Sequence, residues 1–306
     1  MKRVGILVVV LMAVLPISVG SAAHPPASPA QTLPAPAQPG RVMSMNQCTD
    51  QLVLALLPPE RIASVTWLSR NPGGSLMADQ AKRVGVNHGL AEEIIRQKPD
   101  LVVAGSFTTP ATRGLLKRLG FPMIEVGAAN NFAEIRTITR QVAMAVGEQA
   151  RGEALIVRMD AQLNAIPKGP RRPIRVAAWD GSGFNAARGT LYDAILHAAG
   201  AENVANQPPA LTYGAPDAEV LLKTAPALLV QGMPTDEKPG LRANLARHPL
   251  VRQYWAGART VHIRQAWYIC GTPMVGDAVL ALQGQLRTAM ADIKSPLPFA
   301  VRKATK

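Results

Sequence analysis

The chain has 306 residues and is 48% hydrophobic, which excludes a wholly disordered or collagen-like molecule and leaves ample material for a buried core. Lys and Arg outnumber Asp and Glu by 33 to 20, a formal charge of +13, yet the cations are scattered and aromatic residues make up only 4%. A base-stacking surface is hard to build from so few rings, so nucleic acid is not an expected partner, and the positive balance equally suits an anionic ligand.

Lys2 and Arg3 precede an apolar run from Val4 to about Val19, and Gly20-Ser21-Ala22-Ala23 follows. A charged start, a hydrophobic stretch and small residues at the −3 and −1 positions predict a secretory signal over 1–23, cleaved after Ala23. A membrane anchor is the competing reading, but the run is short for a spanning helix of about 20 residues and no charged stop follows it. No cysteine stands at the cleavage region to take a lipid. Residues 24–40 are rich in Pro and Ala without a hydrophobic period and read as an extended, disordered leader.

Val42 to Met45 reads as the first strand, Asp50 to Leu57 as a helix and Ile62 to Val65 as a second strand. A helix from Leu90 to Gln97 feeds the apolar run Leu101 to Ala104. A further helix, Thr109 to Leu119, ends at Gly120, suited to a left-handed cap, and Pro122 to Val126 is the next strand. Two helical stretches then meet near Gly147. The second, Glu148 to Ile166, places Leu155, Ile156, Met159, Leu163 and Ile166 on one face and stops at Pro167-Lys168-Gly169-Pro170. The alternation restarts with a strand from Ile174 to Trp179, a helix from Leu191 to Ala199 closed by Gly200, a helix from Ala218 to Thr224 and a strand from Ala227 to Val230. Val261 to Ile263 is another strand, Val275 to Ile293 the closing helix, and Arg302, Lys303 and Lys306 sit in a solvated basic tail over 296–306. Short apolar runs alternating with helices predict an α/β fold with parallel sheets, as two Rossmann-like lobes (41–147 and 170–295) joined by one long helix, 148–166.

An internal echo supports the duplication. Glu92-Glu93-Ile94-Ile95-Arg96-Gln97-Lys98-Pro99-Asp100-Leu101-Val102-Val103 returns in outline as Glu219-Val220-Leu221-Leu222-Lys223-Thr224-Ala225-Pro226-Ala227-Leu228-Leu229-Val230. Each copy opens a two-turn helix on a Glu, which suits a helix N-terminus, and ends it before a Pro, which forbids continuation.

These residues resemble the periplasmic substrate-binding proteins of iron-siderophore, haem and cobalamin ABC importers. The first copy of the echo is similar to that family's helix-to-strand signature, Leu191 to Val204 to its second-lobe helix and turn, and Arg41 to Leu52 to its first strand and helix. The likeness runs from about Arg41 to Ile293. It implies a ligand cleft between the lobes, a metal chelate as cargo, and delivery to a membrane permease driven by a cytoplasmic ATPase. The periplasm is the expected location and a monomer the expected state. The family's permease-docking acids fall on Glu92 and Glu219; the bland alternative is that both only stabilise their helices.

In open α/β sheets ligands sit beyond the carboxyl ends of strands. That places Cys48, Trp67, Arg70, Phe107, Trp179, Phe184, Trp267, Tyr268 and Cys270 as candidate ligand-binding residues. Aromatic rings offer a flat apolar face to a chelate, and Arg70 an anion partner; the competing reading buries the tryptophans in the core. An exported chain with two cysteines forms a disulfide by default; the resemblance implies that Cys48 and Cys270 flank the cleft from opposite sides, where a bridge staples the lobes, and free cleft thiols able to meet a soft metal, or two unrelated positions, are the alternatives. No cofactor and no catalytic residues are expected. Gly181 to Ala186 fits the dinucleotide turn G-x-G-x-x-A, the basis of a rival oxidoreductase reading, as a lone match. His24, His88, His197, His248 and His262 show no ligand spacing. A sensing module on the same fold is the other rival.

Overall fold

The computed structural model describes residues 38–167, 172–180, 183–184, 186–208, 210, 218–232 and 248–299. The signal segment, nearly all of the leader, the stop at 168–170, Gly181, Ser182, Asn185 and the terminal basic cluster lie outside the described residues, as does the Phe184 side chain.

The first lobe runs β1 (Val42–Ser44), α1 (Gln47–Leu56), β2 (Ile62–Thr66), α2 (Ala78–Ala81), β3 (Val86–Asn87), α3 (Ala91–Gln97), β4 (Leu101–Gly105), α4 (Pro110–Arg118) and β5 (Met123–Val126). Its strands lie parallel in the order β3-β2-β1-β4-β5. The helices α5 (Phe132–Ala145) and α6 (Gln149–Asn164) then lead into β6 (Ile174–Asp180), β7 (Gly183–Phe184), α7 (Leu191–Ala198), β8 (Ala201–Asn203), α8 (Ala218–Thr224), β9 (Leu228–Gly232), α9 (Pro249–Trp255), β10 (Thr260–Ile263) and α10 (Val275–Asp292). The second sheet runs β10-β9-β6, with β8 parallel on the far side of β6 and β7 folded back antiparallel on its end. Two parallel sheets with helices on both faces are the fold that the alternation predicts.

Local chemistry sets the element ends. Asn46 caps α1 by accepting from Cys48 N, so that helix starts three residues earlier than its apolar pattern suggests. Thr109 followed by Pro110 opens α4, and Thr190 caps α7 by accepting from Asp193 N. Gly120 and Gly200 take the left-handed backbone expected of them, φ 75° and 85°. The hairpin between β6 and β7 pairs Trp179 with Phe184 and Asp180 with Gly183. This corrects the dinucleotide reading, because that turn must lead straight from strand to helix N-terminus.

Strand parity divides the core. Val42, Leu101 and Val103 in the first sheet and Val176, Ala178, Leu228 and Val230 in the second belong to one apolar cluster that runs through both lobes by way of α1, α5, α6, α7 and α10. The alternate residues face outward. Met43, Val102, Ile94 and Leu116 make one outer layer, and Ala177, Trp179, Leu229, Leu221 and Trp255 the other.

Helix α6, 16 residues and about 24 Å long, is wedged between the lobes rather than standing free. Its Gly152 lets α5 approach so closely that a Cβ there would fall 2.5 Å from Ala143 Cβ, and on its other side a Cβ at Gly276 of α10 would fall 2.2 Å from Gln162 Oε1. Ion pairs line both seams: Arg136 with Asp160 at 2.5 Å and Arg140 with Glu153 at 2.6 Å toward α5, and Arg158 with Asp277 at 2.9 Å toward α10. Among the described residues no helix is long and apolar enough to cross a membrane.

Candidate functional site

A cavity of about 230 Å³ opens between the lobes, where the carboxyl ends of β1, β4 and β5 meet the start of α7 and the segment before α10. The first lobe contributes Asn46, Cys48, Thr49, Ser106, Phe107 and the stretch 126–130; the second contributes Thr190 to Tyr192, Tyr268, Ile269 and Gly271. The position is the one that the strand-end rule predicts.

The second-lobe wall is a tyrosine pair. Tyr192 and Tyr268 stack with ring centroids 4.1 Å apart and planes 12° off parallel. Tyr192 Oη donates to Val230 O at 3.4 Å, and the Tyr268 hydroxyl lies so close to Gly232 that a Cβ there would come within 2.6 Å of it. Both rings are therefore held by the carboxyl end of β9. Across from them Phe107 is 78% exposed, a large apolar ring turned to solvent at the cavity rim. Capped N-termini of α1 and α7 open on the same space, and their partial positive charge favours acceptor atoms on whatever enters.

Cys48 and Cys270 are joined, with Cα atoms 5.0 Å apart, and no free cysteine remains. The bond ties α1 to the run-in of α10 at the cavity wall, which resolves the open choice between staple and free thiols. Beside it the lobes touch directly: Ala266 N donates to Gly73 O at 3.0 Å, and a Cβ at Gly271 would fall 2.5 Å from Ala129 O.

Of the candidate ligand residues, the structure gathers Cys48, Phe107 and Tyr268 at the cavity and brings Cys270 to Cys48. Trp179 is a correction: it is fully buried on the outer face of β6 with Val204, Leu221 and Trp255, because its parity on the strand is opposite to that of Ala178. Arg70 is another. Its guanidinium donates to Ala81 O (3.3 Å) and Val84 O (2.8 Å), closing the end of α2 instead of facing the cleft. Trp67, 53% exposed at the end of β2, and Trp267, half-buried under the Arg264 guanidinium 5.1 Å from its ring centre, both stand outside the cavity lining. Glu92 and Glu219 are exposed in the first turns of α3 and α8, the latter 2.7 Å from Lys223. Among the described residues no three His, Cys, Asp or Glu side chains converge to hold a metal.

Residues that the sequence reading did not select include Thr190, Tyr192 and 127–130. The strand-end rule reaches 127–130 directly, since they follow β5. Thr190 and Tyr192 are separated from β6 by the hairpin, which hides them. Asp50 is another. It is fully buried beneath the turn that follows β2, and its Oδ2 accepts from Thr66 N (3.0 Å), Thr66 Oγ1 (2.5 Å) and Ser69 Oγ (2.6 Å). Burial pushes its pKa up to about 7, against the hydroxyls of Ser44, Ser69 and Thr66 and the Thr66 amide, which favour the charged form.

The sequence profile of the periplasmic binding proteins matches residues 42–262. A curated relative, an uncharacterized ABC transporter substrate-binding lipoprotein, YvrC, of Bacillus subtilis (strain 168), is 24% identical over 132 residues, 42% of this chain and 41% of that one. The alignment therefore spans about two fifths of the relative's length. Among solved structures, the periplasmic haem-binding protein RhuT from Roseiflexus sp. RS-1 in apo form is 22% identical with a TM-score of 0.65, over 81% of this chain and 98% of that one. The periplasmic vitamin B12 binding protein BtuF of Vibrio cholerae is 19% identical with a TM-score of 0.55, over 83% and 99%. At such identities the likeness to the solved structures is one of fold.

Proposed function

The chain belongs to the periplasmic binding protein family, and on that premise we propose that it captures a metal chelate of the iron-siderophore, haem or cobalamin class and hands it to an ABC permease driven by a cytoplasmic ATPase. Family members are solute-binding proteins rather than enzymes. The observation that carries the reading is the cavity between the lobes, walled by the stacked Tyr192 and Tyr268 on one side and rimmed by the exposed Phe107 on the other. Stacked rings and an unsatisfied apolar edge suit a flat, largely apolar chelate, and the flanking helix N-termini suit its peripheral oxygen atoms. At about 230 Å³ the cavity is smaller than the roughly 300–1,000 Å³ usual for ligand clefts, so capture of a macrocycle widens the mouth beside Phe107.

The compartment follows from the same chemistry. A disulfide suits an oxidising space outside the cytoplasm, and the segment 1–23 supplies the export signal, cleaved after Ala23. Glu92 and Glu219, exposed at matching places on the two lobes, serve as the docking acids for the permease.

A thermal-shift and absorption screen of the purified mature chain against haem, cobalamin and ferric siderophores tests the reading. A ligand at about 100 times its Kd adds roughly 2.7 kcal/mol of stability. Tyr268→Ala and Phe107→Ala weaken that ligand while the free protein keeps its fold, and Glu92→Lys or Glu219→Lys abolishes uptake without changing affinity. A chain that responds to none of these chelates, or docking variants that lose affinity instead of uptake, refutes the assignment.

A further inference from the structure

The repeated helix-to-strand turns carry the same backbone but different charge. In the first lobe Arg41 stands before β1, and an Nη hydrogen of its guanidinium is donated to Gln97 O at the end of α3 (2.7 Å); Asp100 N donates back to Arg41 O (3.1 Å). In the second lobe Arg175 of β6 donates to Thr224 O at the end of α8 (2.7 Å), and Ala227 N donates to Arg175 O (2.8 Å). The register is the same. The Asp100 carboxylate, however, sits beside Arg41 and accepts from the amides of Gly40 (2.8 Å) and Arg41 (3.0 Å), whereas its counterpart is the methyl group of Ala227.

Around Ala227 a groove of about 520 Å³ opens at the amino ends of β6, β9 and β10. Parallel strands put this end of the sheet opposite the cleft. Arg172, Arg175, Arg259 and Lys294 stand on its rim, and Ile174, Met290 and Ile293 supply apolar surface, with Met290 37% exposed. Among the described residues none of these four cations has an ion-pair partner. Asp292, the nearest acid in sequence, is exposed and is not part of the lining. Arg259 is half-buried and donates to two neutral carbonyls, Ala227 O at 3.1 Å and Ser295 O, and its desolvation lowers its pKa from the ordinary value. A cation drawn partly out of water beside hydrocarbon gains most from an anion that brings hydrocarbon of its own.

We propose that this groove binds one anionic amphiphile, a carboxylate or phosphate head on an aliphatic chain. The head sits among Arg259, Arg175 and Lys294, and the chain lies along Ile174, Met290 and Ile293. The site is separate from the cleft and independent of the cargo found there.

Calorimetric titration of the full mature chain with dodecanoate and dodecyl phosphate, each below its micelle concentration, tests the proposal beside inorganic phosphate and vesicles of phosphatidylcholine containing phosphatidylglycerol. One-to-one binding of either amphiphile, at least about tenfold tighter than inorganic phosphate, is the expected result. Ala227→Asp restores the carboxylate found in the first lobe, and the double variant Arg172→Glu/Lys294→Glu reverses two rim charges that make no ion pair among the described residues. Each weakens binding at least about tenfold at an unchanged melting temperature, and two variants keep the test alive if one misfolds. No binding of either amphiphile, equal binding of inorganic phosphate, binding to vesicles alone, or an affinity that neither variant changes overturns the proposal.

Discussion

Lys98 in the first lobe and Ala225 in the second stand at the same place, the last residue before a proline at the end of a two-turn helix. Both take left-handed backbone, φ 47° and 44°, and among the described residues they are the only non-glycine residues that do. The shared cause is local. Pro99 and Pro226 bar right-handed helix from the residue before them, and the chain must reverse within that residue if the strand is to begin at Leu101 or Leu228. A second device is also shared. Asp50 on α1 grips the turn after β2, and Asp193 on α7 grips the turn after β8, accepting from Asn203 Nδ2 (2.8 Å) and Asn206 Nδ2 (2.7 Å). Here the lobes part. Asp50 is fully buried and Asp193 only half-buried. The backbone turns in the same places in both lobes, whereas the equivalent carboxylates differ in how far they are buried.

The lobes differ most in their outer layers, which the first lobe builds from Met43, Ile94 and Leu116 and the second from Trp179 and Trp255. Trp179→Ala is expected to cost about 3–5 kcal/mol in urea unfolding while leaving the chelate affinity of the surviving folded protein unchanged. A cleft ring would give the opposite pattern. Next in size, Cys48→Ser/Cys270→Ser is expected to lose about 2–4 kcal/mol, and hydrogen exchange should rise at 71–75 and 265–271, where the lobes meet beside the bond.

The buried carboxyl comes third. With its folded pKa at about 7 and its unfolded pKa near 4, Asp50 holds a proton in the native state through a window where the unfolded chain has lost it. Its contribution to stability is thus full below about pH 4 and decays as pH rises toward 7, by up to roughly 1.4 kcal/mol per pH unit. Thermal melts of Asp50→Asn between those limits should lose this slope. The smallest effect is the most symmetric. Lys98→Gly and Ala225→Gly each trade a strained left-handed residue, costing roughly 1–2 kcal/mol, for glycine's added chain entropy, and each should stabilise by up to about 1 kcal/mol. Unequal shifts would show that the two turns are not equivalent.

Much of this architecture was legible in the sequence because short-range chemistry governs it. Gly120, Gly200, Pro99 and Pro226 mark ends that no tertiary contact could move, and the echo between Glu92 and Glu219 places the same unit in both sheets. The site was harder to read. Trp179 reads as the last residue of its strand and so as a cleft residue, but β6 continues to Asp180, and strand parity, which depends on which sheet face meets which helices, sends the indole outward. Arg70 could not be placed without α2, a four-residue helix too short for any hydrophobic period to reveal. Tyr192 needed the β6–β7 hairpin, whose register brings the start of α7 back to the cavity.

The bond between Cys48 and Cys270 spans 222 positions of sequence, so nearly every element described, α6 included, lies inside one covalent ring. A single proteolytic nick anywhere in that ring leaves one molecule, and two fragments separate only after a reductant is added. The ring also makes oxidation a maturation step: before the bond forms the only covalent link between the lobes is the chain through α6, and afterwards there are two.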